Sequence, residues 1–369
     1  TEEEIAEVVD SLRSGWIGTG PKVGLFEDNF RNYVDAEYAI AVSSCTAALH
    51  LSMIVAGIGP GDEVITTPMT FCATANAIEH TGANPVFVDV DAKTMNIDPN
   101  LVEEAITEKT KAILPVHFAG RPCDMYSLSK IADEYCLSLI EDAAHAIEAR
   151  SEIGKIGSIA DLSCFSFYVT KNVITAEGGM ITTNKKEWAD KLKIYALHGM
   201  SRDAWQRYSD KGFKHYEVLV PGFKYNMTDL QASIGIHQLK RIEKCLSRRV
   251  EIWDQYNDAF HDLPITTPTL IPQNIVHARH LYTILIDQSL VGCDRNTFQD
   301  RLQKQNIGTG IHYSALHLQP YYKKKLENSE GAFPEAEYIS ERTLSLPLSP
   351  QMTNKDVLDV IQAVNECCN

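Results

Sequence analysis

The sequence lacks several features that mark common classes of protein. No apolar run approaches the roughly 18 to 20 residues that a bilayer-spanning helix requires. The first residues, Thr1-Glu2-Glu3-Glu4, show neither the basic region nor the apolar region of a signal peptide. We therefore expect a cytoplasmic protein that does not bind a membrane.

The cysteines lack the spacing of a zinc site, and the basic residues do not form the runs typical of nucleic-acid binding. The nine cysteines include no Cys-x-x-Cys pair and no Cys/His spacing typical of zinc ligands. Their odd number and scattered positions predict reduced thiols, with no disulfide framework and no metal site. The formal net charge is −15 and no long basic run occurs, which argues against nucleic acid as a partner. A small anionic ligand is compatible with that charge, because a few N–H groups and cations bind an anion locally.

Strand-like and helix-like segments alternate regularly over residues 38–142. Several of the strand-like segments are apolar on both faces, which is typical of a mostly parallel sheet covered by helices. The chain has 369 residues, of which 44% are hydrophobic, so it is long enough for such a domain and a smaller one. In a sheet of this kind, ligands bind at the C-terminal ends of the strands.

The last third of the chain indicates a smaller α+β domain. Strands are predicted over residues 278–286 and 310–313, and the flanking segments have helical periodicity. A segment rich in Arg and Lys over about residues 229–260 is predicted as one long helix. We therefore expect a large domain over residues 1–240 and a small C-terminal domain over residues 241–369, joined by that helix.

One lysine, Lys171, follows an apolar and aromatic segment, Leu162–Val169, that is predicted as a buried strand. A Gly-Gly pair and a second predicted strand, Met180–Thr183, come next. A lysine between two buried strands is costly unless it is paired, neutralised or used covalently. A Schiff base with pyridoxal phosphate (PLP) is one covalent use. It requires a carboxylate at the pyridine nitrogen, donors for the phosphate, and a flat group on the ring.

Candidates for all three partners follow the ends of predicted strands. Asp142 supplies a carboxylate after one strand, and Phe71 supplies a flat ring after another. The turn Ser44–Ala47, together with Ser166, supplies donors for a phosphate. Serine and threonine at such a turn are also common helix caps, so a cap and a phosphate site are both open here.

The motifs that surround these residues resemble those of the DegT/DnrJ family of sugar-nucleotide aminotransferases. The resemblance covers essentially the whole chain, and its most specific stretches are Gly59–Ile65, Asn84–Val90, Glu141–Ala146, Phe165–Asn172 and Ala176–Gly179. It implies an α/β enzyme with the aspartate aminotransferase fold, fold type I of the PLP-dependent transferases, whose large domain holds a mostly parallel seven-stranded sheet. It also implies a homodimer that binds PLP.

The same resemblance implies roles for individual residues. Lys171 corresponds to the lysine that binds PLP covalently and carries the proton between cofactor and sugar. Asp142 corresponds to the carboxylate at the pyridine nitrogen, and His145 to a residue near the hydroxyl side of the ring. Phe71 corresponds to the stacking ring. Phosphate contacts are implied for Thr46, Ala47, Ser166 and, from the neighbouring subunit, Asn226.

Two further stretches, Pro221–Leu230 and Gly308–Tyr313, are most similar to the family branch of UDP-4-amino-4-deoxy-L-arabinose–oxoglutarate aminotransferases. This similarity implies a UDP-linked 4-keto pentose or 4-keto-6-deoxyhexose as substrate, with glutamate as the amino donor and 2-oxoglutarate as its product. Biosynthesis of lipopolysaccharide or another cell-surface polysaccharide is implied with it. Candidate substrate residues are His312, Tyr313 and His317.

Two departures from the family pattern leave the exact substrate open. Glu148 stands where many relatives have glycine, and the loop over residues 202–218 is unlike the familiar sequences. A GDP- or dTDP-linked keto sugar, and amination at carbon 3 instead of carbon 4, are therefore alternatives. A non-catalytic regulator that binds a sugar nucleotide is another, which Lys171 and Asp142 disfavour. A sugar dehydratase is also disfavoured, because such relatives have histidine at the position of Lys171.

Overall fold

The computed structural model of the protein describes residues 1–201, 216–327 and 329–368. Most of the loop over residues 202–218 therefore lies outside the described residues. Two helices open the chain, α1 (Glu2–Ser14) and α2 (Pro21–Val34). Proline suits the first position of α2, because the N–H that it lacks would have no partner within the helix.

A seven-stranded sheet forms the centre of the molecule. Its strands are β1 (Tyr38–Val42), β2 (Glu63–Thr66), β3 (Asn84–Phe87), β4 (Thr110–Ile113), β5 (Ser138–Asp142), β8 (Leu162–Ser166) and β9 (Gly179–Thr183). A separate two-stranded hairpin consists of β6 (Arg150–Ser151) and β7 (Gly154–Lys155). The spatial order is β1-β9-β8-β5-β4-β2-β3, and of these strands β9 alone runs opposite to the others. The prediction of an α/β fold with a mostly parallel seven-stranded sheet is confirmed.

Helices that connect the strands cover both faces of the sheet. They are α3 (Cys45–Val55), α4 (Cys72–His80), α5 (Pro99–Glu104), α6 (Met125–Glu134) and α7 (Lys186–Ala196). Alternate residues of a strand point to opposite faces, and in β8 they enter two different apolar clusters. Leu162 and Cys164 share a cluster with Leu49 of α3, whereas Phe165 packs with Phe30 of α2. Burial on both faces explains why the strands are apolar throughout.

The C-terminal part of the chain has an apolar core of its own. Its elements are α8 (Asp229–Lys240), α9 (Ile242–Phe260), β10 (Tyr282–Leu285), α10 (Gln288–Val291), α11 (Arg295–Lys304), α12 (Pro320–Lys325), α13 (Pro334–Arg342), β11 (Thr343–Leu346) and α14 (Asn354–Cys368). Trp253 of α9 and Phe298 of α11 belong to this core, whereas Ile236 of α8 packs with the sheet. The boundary between residues 240 and 241 stays a prediction, because Ile242 of α9 also packs with the sheet. Among the described residues, no helix combines the length and apolarity needed to cross a bilayer.

Two elements of this part differ from the sequence prediction. The long helix predicted over 229–260 is two helices, because Arg241, with φ −108° and ψ 9°, departs from helical geometry. Residues 310–313 do not form a strand, since Gly310 alone makes a single bridge to Ser345. The antiparallel partner of β10 is instead β11, whose four residues are all buried.

Candidate active site

A cavity of about 500 Å³ lies at the C-terminal ends of the parallel strands. Its walls come from the segments that follow β1, β2, β4, β5 and β8 and from the loop before α12. The lining includes eight residues that the sequence singled out: Thr46, Phe71, Asp142, His145, Ser166, Lys171, His312 and Tyr313. Side chains from distant parts of the chain therefore meet in one place, as expected for a ligand site of this sheet architecture.

Lys171 reaches the cavity from the loop between β8 and β9. The strand predicted over 162–169 ends at Ser166, and in the turn that follows the Lys171 N–H donates to the Tyr168 carbonyl oxygen (2.9 Å). Burial lowers the pKa of the Lys171 amine, and the negative charge of Asp142 opposes that shift. The direction of the shift favours the neutral, nucleophilic amine.

Asp142 is the last residue of β5, and only 6% of it is exposed. Thr74 Oγ1 donates to its Oδ2 (2.8 Å), and the Ala144 N–H donates to its Oδ1 (3.2 Å). Thr70 Oγ1 lies 2.7 Å from Thr74 Oγ1, which completes a hydroxyl chain behind the carboxylate. Burial raises the pKa of Asp142, and its two donors oppose that rise. Neither threonine was predicted from the sequence, because the bond between Thr74 and Asp142 joins segments 68 residues apart and no local pattern signals it.

Aromatic side chains form one wall of the cavity. His145 Nε2 lies 3.2 Å from Tyr313 Oη, and its ring centroid lies 4.3 Å from that of His280. His145 Nδ1 is buried without a hydrogen-bond partner among the described residues. Burial, reinforced by the charge of Lys171, lowers the pKa of His145 well below its usual value and that of His312 to about 4. At neutral pH these rings therefore add no positive charge beside Lys171.

The N-terminus of α3 forms another part of the wall. Ser44 caps this helix, because its Oγ accepts the Ala47 N–H at 3.1 Å, which confirms the cap interpretation. Thr46 and Ser166 line the cavity, whereas Ala47 is not among its lining residues. Free N–H groups and the positive end of a helix dipole favour an anion at this position. The close approach requires glycine at Gly179, where a Cβ would lie 2.5 Å from the carbonyl carbon of Ser44.

Phe71 combines a cavity position with unusual exposure for an aromatic ring. It is the N-cap residue of α4, and 58% of it is exposed. Its ring centroid lies 6.2 Å from that of Tyr313. An exposed ring at a cavity offers its face to a flat ligand. Stacking on a cofactor remains a prediction for this residue.

The structure does not bring His317 and Asn226 to the cavity of their own chain. His317 is fully buried, and its Nε2 lies 3.0 Å from Glu337 Oε1. This contact within the C-terminal part accounts for His317 better than the substrate role expected from the sequence. Asn226 Nδ2 donates to Thr19 Oγ1 at 2.6 Å. A phosphate contact from Asn226 therefore requires a second copy of the chain, and it stays a prediction.

The side chains of the cavity fit PLP. A lysine amine, a buried carboxylate, a helix N-terminus flanked by hydroxyl groups, and an exposed aromatic ring match the aldehyde, the pyridine nitrogen, the phosphate and the ring face. The unpartnered Nδ1 of His145 is one more polar atom for such a ligand. In the part of the chain that the structure describes, no group of His, Cys, Asp and Glu side chains is arranged to hold a metal ion.

Comparison with known proteins gives concordant matches. SpsC of Bacillus subtilis, a spore coat polysaccharide biosynthesis protein, is 49% identical over 366 residues, which are 99% of this chain and 94% of SpsC. MJ1066 of Methanocaldococcus jannaschii, an uncharacterized protein, is 53% identical over 366 residues, or 99% and 95% of the two chains. The PMP form of Spr1654 from Streptococcus pneumoniae has a TM-score of 0.94 at 35% identity, over 100% of this chain and 97% of that one. Spr1654 has also been solved in a PLP form.

The family assignment rests on the whole chain. Residues 1–365 match the sequence profile of the DegT/DnrJ/EryC1/StrS aminotransferase family. The similar structures in PMP and PLP forms agree with PLP, the cofactor that the side chains of the cavity fit. None of these matches identifies the sugar. The chain belongs to the DegT/DnrJ/EryC1/StrS aminotransferase family and is a PLP-dependent sugar aminotransferase.

Proposed function

We propose that the enzyme transfers the amino group of glutamate to the 4-keto carbon of a nucleotide-linked sugar. The preferred substrate is a UDP-linked 4-keto pentose or 4-keto-6-deoxyhexose, and 2-oxoglutarate is the product from the donor. The observation that carries the proposal is the cavity, in which Lys171 and Asp142 share one space with His312 and Tyr313. The last two residues end the stretch Gly308–Tyr313, which resembles the UDP-sugar branch of the family.

Lys171 has the central chemical role in this proposal. When bound, PLP supplies an electron sink for the carbon attached to the transferred nitrogen. The neutral Lys171 amine takes the proton from the donor carbon, and in the second half-reaction the protonated amine delivers a proton to the sugar carbon. Its lowered pKa increases the neutral fraction. The Asp142 carboxylate holds a proton on the pyridine nitrogen through its negative charge.

Binding roles follow from the remaining lining residues. Thr46 and Ser166 donate to the phosphate together with the free N–H groups of α3, whose positive end favours the anion. The Ala47 N–H is shared with the Ser44 cap, which limits its contribution. Asn226 donates from the neighbouring subunit, so we propose a homodimer as the functional unit.

The pathway follows from the product class. SpsC is a spore coat polysaccharide biosynthesis protein, and a 4-amino sugar on a nucleotide is a precursor that a glycosyltransferase can use. We therefore place this enzyme in the synthesis of lipopolysaccharide or another cell-surface polysaccharide. The enzyme that forms the 4-keto sugar must act before it.

A panel of keto sugars linked to UDP, GDP and dTDP tests the substrate assignment. The enzyme is preloaded with PLP and glutamate, and 2-oxoglutarate and the amino sugar are quantified. We expect the highest kcat/KM with a UDP-linked 4-keto sugar. Activity restricted to GDP- or dTDP-linked sugars, or amination at carbon 3, would contradict the assignment.

Glutamate alone separates an enzyme from a sugar-nucleotide-binding regulator. A single turnover with excess glutamate should release about one 2-oxoglutarate per active site, since the donor half-reaction needs no sugar. The purified protein should also carry a visible chromophore that borohydride reduces and fixes to Lys171, as peptide mapping would show. Absence of both signals in protein reconstituted with PLP would contradict the function of Lys171.

A further inference from the structure

A buried polar network lies behind the active site, and its members do not line the cavity. Glu148 and Arg249 form an ion pair between the segment after β5 and helix α9, with side chains 0% and 2% exposed. Glu148 Oε2 accepts Nδ2–H of Asn172 at 2.8 Å. Asn172 directly follows Lys171 in the sequence, so the ion pair contacts the neighbour of the catalytic lysine.

The Asn172 carboxamide has only one orientation that satisfies its partners. Its Nδ2 faces two acceptors, Glu148 Oε2 and the Ala278 carbonyl oxygen at 3.1 Å. Its Oδ1 therefore faces His280 Nδ1, 2.9 Å away. An amide oxygen can only accept, so His280 must carry its proton on Nδ1. Burial lowers the pKa of His280 well below its usual value, which leaves its Nε2 without a proton.

The fixed tautomer of His280 affects His145, which lines the cavity. Its ring packs on that of His145, with centroids 4.3 Å apart and an interplanar angle of 35°. Tyr313 Oη lies 3.2 Å from Nε2 of His145. The position of His145 is thus set by His280 and by Tyr313, and its Nδ1 is left for a ligand.

Stability alone is a poor explanation for the buried pair. Desolvation of two charges offsets most of their attraction, and a pair of apolar side chains often serves the fold as well. An orienting role explains the charge, because a carboxylate offers only acceptors and so dictates which end of the Asn172 carboxamide faces it. Burial raises the pKa of Glu148, and the charge of Arg249 opposes that rise and so favours the ionised carboxylate.

We propose that Glu148 and Arg249 are positioning residues, which fix the Asn172 carboxamide and through it the tautomer of His280 and the ring position of His145. The catalytic consequence rests on the proposed function. The orientation of Asn172 and the tautomer of His280 do not, because both are properties of the cofactor-free protein. The structural part of the proposal and its catalytic consequence can therefore be tested separately.

The main test compares Glu148→Gln with the wild type. A glutamine presents an N–H₂ group to Asn172 once its oxygen is bonded to Arg249, so the carboxamide loses its single preferred orientation. We expect ¹⁵N NMR of the imidazoles to show Nδ1-protonated His280 in the wild type and a mixture of tautomers in the variant, with His280→Gln used for assignment. In PLP-loaded enzyme kcat should fall about 10- to 100-fold, the range for supporting residues behind a reactive site. KM should change little.

Glu4→Gln is the matched control. Glu4 is also a buried carboxylate paired with an arginine, Arg241, but it lies in α1 and has no contact with Asn172. It should leave the His280 signals and kcat at wild-type values. Wild-type His280 signals and kcat in Glu148→Gln, with only a lower thermal midpoint, would overturn the proposal.

A second variant covers the case in which Glu148→Gln does not fold. Glu148→Met combined with Arg249→Met removes the pair without leaving a buried charge. It should also weaken the tautomer preference of His280 and reduce kcat, and a wild-type result in both measurements would overturn the proposal. If wild-type protein fails to load PLP, the proposed function fails, whereas the tautomer measurement still decides this inference.

Discussion

Asp142 and Glu148 are buried carboxylates in one segment, yet their surroundings differ. Asp142 accepts from the neutral donors Thr74 and Ala144 and lines the cavity that Lys171 enters. Glu148 forms an ion pair with Arg249 and lies outside that cavity. Burial raises the pKa of both carboxyl groups. The charge of Asp142 is therefore available to a ligand in the cavity, whereas the charge of Glu148 is compensated by Arg249 within the protein.

The difference implies opposite responses to neutralisation. Replacement of Asp142 by its amide removes a buried charge that forms no ion pair with any described residue, so activity should suffer and stability should not. Replacement of Glu148 by its amide leaves Arg249 buried without compensation, so stability should suffer most.

Loss of the Lys171 amine should have the largest effect. Lys171→Ala should reduce turnover at least about 10⁴-fold, as removal of a central catalytic group does in other enzymes. Its thermal midpoint should not fall, because burial already disfavours the charged amine. Formation of 2-oxoglutarate and thermal unfolding measure the two effects. Lys186→Ala, at an exposed position on α7, is the control, and turnover within tenfold of the wild type in Lys171→Ala would contradict the role.

Asp142→Asn should have the next largest effect on activity. A fixed charge that stabilises a reacting group is typically worth about 10²- to 10³-fold in turnover, and the amide cannot supply it. The folded protein should be at least as stable as the wild type, because burial penalises the charged form of Asp142. Turnover and the free energy of unfolding check this pair of expectations. A large loss of stability with normal turnover would reverse our assignment of the two carboxylates.

The same variant should change the ionisation of Lys171. The charge of Asp142 raises the pKa of the Lys171 amine against the effect of burial, so its removal should lower that pKa further. In cofactor-free protein, an amine-reactive reagent should therefore modify Lys171 at lower pH in Asp142→Asn than in the wild type. Peptide mapping would report the modified fraction at each pH, and an unchanged pH profile would contradict coupling between the two groups.

The contrast between Asp142 and Glu148 also shows what sequence can predict. Asp142 and Lys171 were predictable, because their positions after apolar strand segments and their side-chain chemistry point to one site. The loss of the predicted strand over 310–313 has a local cause, since that segment lines the cavity instead of pairing along its length. The hydrogen bonds of Thr74 and the contacts of Glu148 with Arg249 were not predictable. They join segments far apart in the chain, and no local periodicity records such contacts.

Neutralisation of Glu148 should lower stability in addition to kcat. Glu148→Gln should lower the free energy of unfolding by about 3–5 kcal/mol, the usual cost of removing one partner from a buried ion pair. Glu148→Met with Arg249→Met should recover most of that loss, since no charge is left without a partner. Chemical denaturation of the cofactor-free proteins measures both. Equal destabilisation in the single and double variants would show that volume, and not uncompensated charge, determines the effect.

Thr74→Val should have the smallest effect and tests how far the Thr74 hydroxyl favours the ionised form of Asp142. Valine keeps the shape of threonine but removes the hydroxyl that donates to Asp142 Oδ2 at 2.8 Å. This bond lowers the pKa of Asp142, so the variant should raise it further and move the acidic limb of the activity profile to higher pH. A hydrogen bond to a charged group contributes about 1.5–3 kcal/mol, which sets the upper limit of the shift. Thr70→Val is the matched control, because the Thr70 hydroxyl forms a hydrogen bond only with that of Thr74 among the described residues and should change the profile less. An acidic limb that moves equally in both variants would mean that packing of α4, and not the bond to the carboxylate, controls Asp142.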